Sequence, residues 1–192
     1  MYNTAFHKSI ENDEIPQAQR LGHYIKTYYN PNFFFDFGCS TGIYLKEIQI
    51  NCPNTSTCGI EFSEDAVQNA VCPNVIQHDL TQPIKLNRAP ETLGLCLEVL
   101  EHIGDQYWNP VLENLVTNCD RLIFSAAAPG QGGTGHINCR PKIDWIKRFH
   151  SLGWVVDLDA TKHLIHEMQQ GYHMGWFVNN VIVLTPYKSY TS

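Results

Sequence analysis

Four groups of residues in this chain have types and spacing suited to chemistry. Asp36 precedes Gly38-Cys39-Ser40-Thr41-Gly42, a turn of small residues between two apolar stretches. Such a turn lets backbone approach a ligand closely, and the helix that follows presents free N–H groups and its positive dipole end. Glu61-Phe62 closes the next apolar stretch, where a carboxylate can accept hydrogen bonds from both hydroxyls of a ribose. Asp79-Leu80 closes the one after that. Leu97 then leads into Glu98-Val99-Leu100-Glu101-His102, and His136 ends a glycine-rich run from Pro129 to Gly135. Carboxylates and imidazoles gathered in one place serve proton transfer or metal binding.

The elements that must position these residues alternate along the chain. Strands are expected at Phe33 to Phe37, Thr57 to Phe62, Val75 to His78, Leu93 to Leu97, Arg121 to Ala126, Trp154 to Leu158 and Phe177 to Leu184. Helices are expected at Ile15 to Tyr29, Gly42 to Ile50, Tyr107 to Asn118, Pro141 to Ser151 and Lys162 to Gln169. Ser63 has the character of an N-cap, with Glu64 and Asp65 in a first turn where the dipole favours acids. Alternating strands and helices imply one mostly parallel sheet covered on both faces. The chemistry-bearing residues then fall at carboxyl ends of strands, where open α/β sheets bind ligands.

Composition narrows the function classes. The chain has 192 residues, 43% hydrophobic and 17% charged, as expected of a globular domain. A net charge of −6 without a Lys/Arg cluster argues against large nucleic acids as partners. Seven scattered cysteines form no C-x-x-C pair, which argues against a zinc knuckle or a disulfide framework. No apolar run reaches the ~18 residues of a membrane span and no signal-peptide pattern opens the chain, so a cytoplasmic location is expected.

A glycine turn alone is ambiguous. Gly38-Cys39-Ser40-Thr41-Gly42 also matches the G-x-S-x-G nucleophile elbow, with Ser40 as nucleophile of a serine hydrolase. That alternative leaves Asp36 and Glu61 without a role and has too little chain before Ser40 for the earlier strands. The G-x-G-x-x-G spacing of dinucleotide oxidoreductases is not met.

Asp36-Phe37-Gly38-Cys39-Ser40-Thr41-Gly42 resembles the first signature of the class I S-adenosylmethionine-dependent methyltransferases, D-x-G-x-G-x-G, with Ser40 at its usual middle glycine. Glu61 matches that family's ribose-binding acid and Asp79 its adenine-contacting position. Leu97-Glu98-Val99-Leu100-Glu101-His102-Ile103 is similar to the E-V-L-E-H signature of the subgroup that includes the ubiquinone-pathway O-methyltransferases. The resemblance covers Phe33 to Ile103 closely and extends loosely to Leu184.

The resemblance implies a Rossmann-like, doubly wound, mostly parallel seven-stranded sheet with an antiparallel last strand. Residues 1–30 would form a helical cap and 31–192 the cofactor-binding domain. Asp36, Gly38, Cys39, Ser40, Gly42, Glu61, Phe62, Asp79, Leu80 and Leu97 would hold S-adenosylmethionine. The acceptor would be a small molecule, sugar, nucleotide or carrier-borne group, methylated on oxygen, with Glu98, His102 and His136 catalytic and His136 first in line as general base. A protein that binds the same cofactor without methyl transfer is the alternative from another class. Glu98-x-x-Glu101-His102 also resembles the metal-binding stretch of small-RNA 3′-terminal 2′-O-methyltransferases. That likeness implies Mg²⁺ or Mn²⁺ on Glu98, Glu101, His102 and His136. Without an ion, Glu101 would be a solvent-facing acid in a first helical turn and His102 would pack beside the cofactor.

Overall fold

A computed structural model describes residues 4–187, with side chains from residue 14 onward. Its centre is β1 (Phe33–Phe37), four phenylalanines around Asp36. A strand with apolar side chains on both faces must be covered on both. Phe34 packs with Leu21, Ile25, Leu45 and Ile48 on one side. Phe35 and Phe37 pack with Trp108, Leu112 and Phe124 on the other. Burying a phenylalanine contributes about 1.5–3 kcal/mol relative to leaving it in water, so β1 anchors both cores.

The remaining strands are β2 (Ser56–Glu61), β3 (Val75–Gln77), β4 (Thr92–Leu97), β5 (Arg121–Ser125), β6 (Trp154–Val156) and β7 (Ile182–Pro186). They form one seven-stranded sheet in the order β3-β2-β1-β4-β5-β7-β6. The β1, β2, β3, β4 and β5 pairings are parallel, and β7 runs antiparallel to both β5 and β6. Connections from β1 leave in opposite directions, to β2 on one side and, later in the chain, to β4 on the other. The crevice between β1 and β4 is therefore the topological switch point.

Seven helices flank the sheet among the described residues: α1 (Thr4–Tyr28), α2 (Ile43–Asn51), α3 (Glu64–Gln68), α4 (Trp108–Asn118), α5 (Lys142–Ser151), α6 (Leu158–Gln169) and α7 (Gly175–Asn180). In α4, Trp108, Val111, Leu112 and Leu115 recur at helical spacing and are buried. Asn114 and Asn118 of the same helix bond backbone between Leu80 and Leu86, in both directions, at 2.8–3.0 Å. Those two amides hold the irregular stretch after Asp79. Ser63 caps α3 as expected, accepting from Ala66 N–H at 3.3 Å.

Three expected elements differ. The first helix starts at Thr4 rather than Ile15 and carries Pro16 inside it. Leu158 begins α6 instead of ending β6, because Asp157 caps the helix by accepting from Ala160 N–H at 3.0 Å. Phe177 to Asn180 is helical, and the last strand begins only at Ile182. Phe177 is fully buried there as part of α7's contact with the core, so its apolar character does not mark a strand. All seven cysteines are free thiols, five of them buried. No helix among the described residues is long and apolar enough to cross a membrane.

Candidate functional site

Two halves of a site meet at the carboxyl ends of the parallel strands. The first begins where β1 ends. Gly38 (φ +78°) and Ser40 (φ +50°) both turn with left-handed backbone. A β-carbon at Gly38 would overlap the Val99 side chain, so only glycine lets the turn lie against the start of the Glu98–His102 segment. The turn is pinned to β2, with Gly38 and Cys39 N–H donating to the Ile60 carbonyl at 2.7 and 3.2 Å. Glu61 then draws two backbone N–H groups to its carboxylate, Ser40 on Oε2 and Ser63 on Oε1, both at 2.8 Å. Each carboxylate oxygen retains a lone pair for a further donor.

Asp36 sits in mid-sheet between Gly59 and Leu95. It is 3% exposed and its Oδ2 has no hydrogen-bond partner. Burial pushes its carboxyl well above the ordinary range, and the nearby charges of Glu14 and Glu61 add to the shift. Beyond Glu61, Phe62 is exposed and shares with Ser63, Glu64, Gln77, His78 and Asp79 the lining of an open cleft of about 560 Å³. Asp79 Oδ1 accepts from Thr81 N–H at 2.8 Å, which fixes the turn after β3. Leu80 is buried in the core under α4. Leu97 is half-buried and packs with the α1–α2 core, to which Cys39 also belongs.

The second half follows β4 and β5. Glu98 has left-handed backbone (φ +54°), uncommon for a non-glycine residue and costing about 1–3 kcal/mol. Its N–H donates to Ser125, to the carbonyl at 3.1 Å and Oγ at 3.2 Å. Its carboxylate accepts from Gln131 Nε2 at 2.5 Å and Asn180 Nδ2 at 3.2 Å. Asn180 also donates to Gln131 Oε1 at 2.8 Å, closing a ring of three side chains. Burial raises the Glu98 carboxyl, opposed by its bonds to Ser125, Gln131 and Asn180.

Glu101, expected to face solvent if no ion is present, is fully buried, and neither carboxylate oxygen meets hydrogen-bond geometry. The cause lies in a three-residue helical turn, Leu100–His102, over which the 136–140 segment folds. Ile137 and Asn138 N–H donate to the Glu101 carbonyl at 2.9 and 3.0 Å. Burial and the neighbouring Glu98 push the Glu101 carboxyl up to about 8, offset only in part by backbone groups of Glu101 and Ala127. The His136 imidazole lies beside it, with Nε2 3.8 Å from Oε1.

The His136 imidazole lies against Gly133, where any side chain would overlap it, and 4.9 Å from the His102 ring. His102 Nδ1 is 3.1 Å from the Gly135 carbonyl, and burial lowers its pKa, which favours the neutral ring. Glu101, His102 and His136 present ligand atoms within 4.8 Å of one another. Glu98, the fourth expected metal ligand, lies outside that group, its carboxylate engaged by Gln131 and Asn180. Gln131 and Asn180 were missed in the sequence. Gln131 is the one long polar side chain in a run of glycines, a usable signal, whereas Asn180 was hidden by assigning its segment to a strand.

No protein-family model matches the sequence, and no curated protein matches it. Solved structures do share its fold. The mitomycin 7-O-methyltransferase MmcR superposes with a TM-score of 0.64 at 12% identity, over 94% of this chain. This chain spans only 56% of the length of MmcR. The sugar N-methyltransferase KedS8 from Streptoalloteichus gives 0.64 at 13% identity, over 92% of this chain and 87% of KedS8. Magnesium protoporphyrin IX methyltransferase from Synechocystis, solved with bound S-adenosylmethionine, gives 0.61 at 17% identity, over 94% of this chain and 83% of its own. The chain thus has the Rossmann-like fold of these methyltransferases, including the antiparallel strand between β5 and β6.

Proposed function

We propose that this chain transfers a methyl group from S-adenosylmethionine to an oxygen of a small-molecule or carrier-borne acceptor. The observation that carries the proposal is the Gly38–Gly42 turn held against Glu61 at the switch point of the sheet. The polar atoms there suit the cofactor. Glu61 keeps lone pairs for two ribose hydroxyls, Phe62 and Asp79 flank a cleft wide enough for an adenine, and Asp36 offers a buried, unpartnered oxygen. S-adenosylmethionine, when bound, supplies an electrophilic methyl carbon, so the protein needs no nucleophile of its own.

What remains for the chain is to bind, orient and deprotonate the acceptor. His136 is the proposed general base, accepting the hydroxyl proton at Nε2, which lies 3.8 Å from Glu101 Oε1. His102 would orient the acceptor, and Glu98 would hold Gln131 and the glycine loop over it. Helix α1, whose Gln17 is buried and donates to Tyr44 Oη at 2.7 Å, would serve as the cap of the cofactor side. Calorimetric titration with S-adenosylmethionine and S-adenosylhomocysteine tests the proposal. Micromolar binding supports it and no binding of either ends it. Binding without turnover on any acceptor would favour the alternative of a cofactor-binding protein.

The buried Glu101 carboxyl beside two imidazoles supports a second reading, a divalent ion on Glu101, His102 and His136, in which His136 would be a ligand and not the base. Buried charges are normally paired or coordinate metals. Mg²⁺ or Mn²⁺ there would supply Lewis acidity toward an acceptor oxygen. Direct titration with Mn²⁺, compared with Glu101→Gln, tests it. Equal binding by both proteins would remove the ion from the scheme.

A further inference from the structure

A second cleft, of about 290 Å³, opens beside Arg140, between α4 and α5. Trp108, Arg140, Asp144, Lys147, Arg148 and Ser151 line it. Two guanidiniums stack on the same indole, Arg148 Cζ at 4.2 Å and Arg140 Cζ at 5.1 Å from the Trp108 ring. Arg140 is further braced by Asp105 at 2.7 Å and by Asn138 Oδ1 at 3.2 Å. Among the described residues, neither Lys147 nor Arg148 forms an ion pair. With Arg140 paired to Asp105, Lys147 and Arg148 remain against one lining acid, Asp144, on a chain whose net charge is −6. Gathering like charges around one ring raises their mutual repulsion, and a bound anion relieves it. Guanidiniums fixed by stacking lose little freedom when they form paired bonds to phosphate oxygens.

The cleft is joined to the site by short hydrogen bonds. The Ile103 carbonyl accepts from Trp108 Nε1 at 3.2 Å and from Asn138 Nδ2 at 2.9 Å. Asn138 N–H in turn donates to the Glu101 carbonyl. His136 and Arg140 are four residues apart, so their Cα atoms lie at most about 14 Å from each other. One sugar ring or a short chain spans that interval.

We propose that this cleft binds a phosphate monoester carried by the methyl acceptor, anchoring it while its hydroxyl reaches His136. The inference rests on the methyl-transfer proposal for the direction in which the anchored molecule points. It does not rest on it for the anion site itself.

The test is calorimetric titration of the full chain with inorganic phosphate, phenyl phosphate and a short single-stranded oligonucleotide at 50 mM salt. Arg148→Gln and Lys147→Gln are compared with the parent, and S-adenosylhomocysteine is titrated in the same samples. We expect saturable binding of phosphate and phenyl phosphate, weakened at least tenfold in Arg148→Gln and several-fold in the exposed Lys147→Gln. Affinity for S-adenosylhomocysteine should be unchanged in both. No saturable phosphate binding, or binding that both variants retain, overturns the anion site. An oligonucleotide bound more tightly than phenyl phosphate overturns the commitment to a monoester on a small acceptor. Failure of S-adenosylhomocysteine alone would overturn the methyl-transfer proposal and leave the anion site standing.

Discussion

The two halves of the site satisfy their carboxylates in opposite ways. On the β1–β3 side, Glu61 and Asp79 are met by backbone N–H groups of Ser40, Ser63 and Thr81. Two of these donors lie two residues from the acid they serve. On the β4–β5 side, Glu98 is met by side chains 33 and 82 residues away, while both oxygens of Glu101 lack a hydrogen-bond partner. Backbone donors are fixed as soon as the turns form. The second set exists only after the glycine loop and α7 have docked. The first half is therefore set by local folding, and the second by how distant segments dock.

Breaking the second half should give the largest effect. His136→Ala is expected to cut turnover by about 100-fold or more, the usual range for losing a general base, with S-adenosylhomocysteine affinity within threefold of the parent. Parallel losses of both would mean that the halves are one unit and the contrast is false. Glu61→Gln should do the reverse. It replaces a carboxylate that can take two ribose hydroxyls, and calorimetry should show about tenfold weaker cofactor binding, roughly 1.4 kcal/mol.

A third experiment separates binding from fold stability. The Asp36 carboxyl is raised by burial, so its protonated form belongs to the folded state. The stability linked to it is fully present below its unfolded pKa, near 4, and is lost as pH rises through the folded value. Asp36→Asn should flatten the fall of urea-unfolding stability between pH 4 and neutrality, while still weakening the cofactor. A variant with the parent's pH slope would show that Asp36 is not buried as described. The smallest effect is expected at Ser40, where left-handed backbone is a burden only for a residue with a side chain. Ser40→Gly should raise unfolding stability by about 0.5 kcal/mol, the relief of left-handed backbone less the entropy cost of glycine. Lower stability would mean that the Ser40 side chain contributes to the turn.

The sequence disclosed these halves unequally, for the same physical reason. Turn chemistry and strand ends are local, so Gly38, Ser40, Glu61 and Asp79 could be located from their own neighbours. The sheet followed as well, because Phe33 to Phe37 admits no single-sided strand. Glu98, Glu101, His102 and His136 could be named as chemical types. Their partners Gln131 and Asn180 could not be named, because contacts across such sequence separations leave no periodic trace. Helix α7 was missed because a six-residue helix carrying a buried Phe177 has the apolar density of a strand. The burial of Glu101 was not legible either, since it depends on the 136–140 segment folding over a single helical turn.

The reversed direction of β7 has a consequence for how such a protein diversifies. Ile182 at its start pairs with Phe124 near the end of β5, so the chain enters this strand from the reactive rim rather than from the opposite edge. Residues just before it, with Asn180 at the end of α7, therefore lie at the same rim as Glu98 and Gln131. That gives evolution a stretch ahead of the closing strand in which lengthening or replacement reshapes the rim of the sheet without altering a hydrogen-bonded register. Exchanging residues 171–180 between proteins of this fold is accordingly a more direct way to remodel that rim than any change within the sheet.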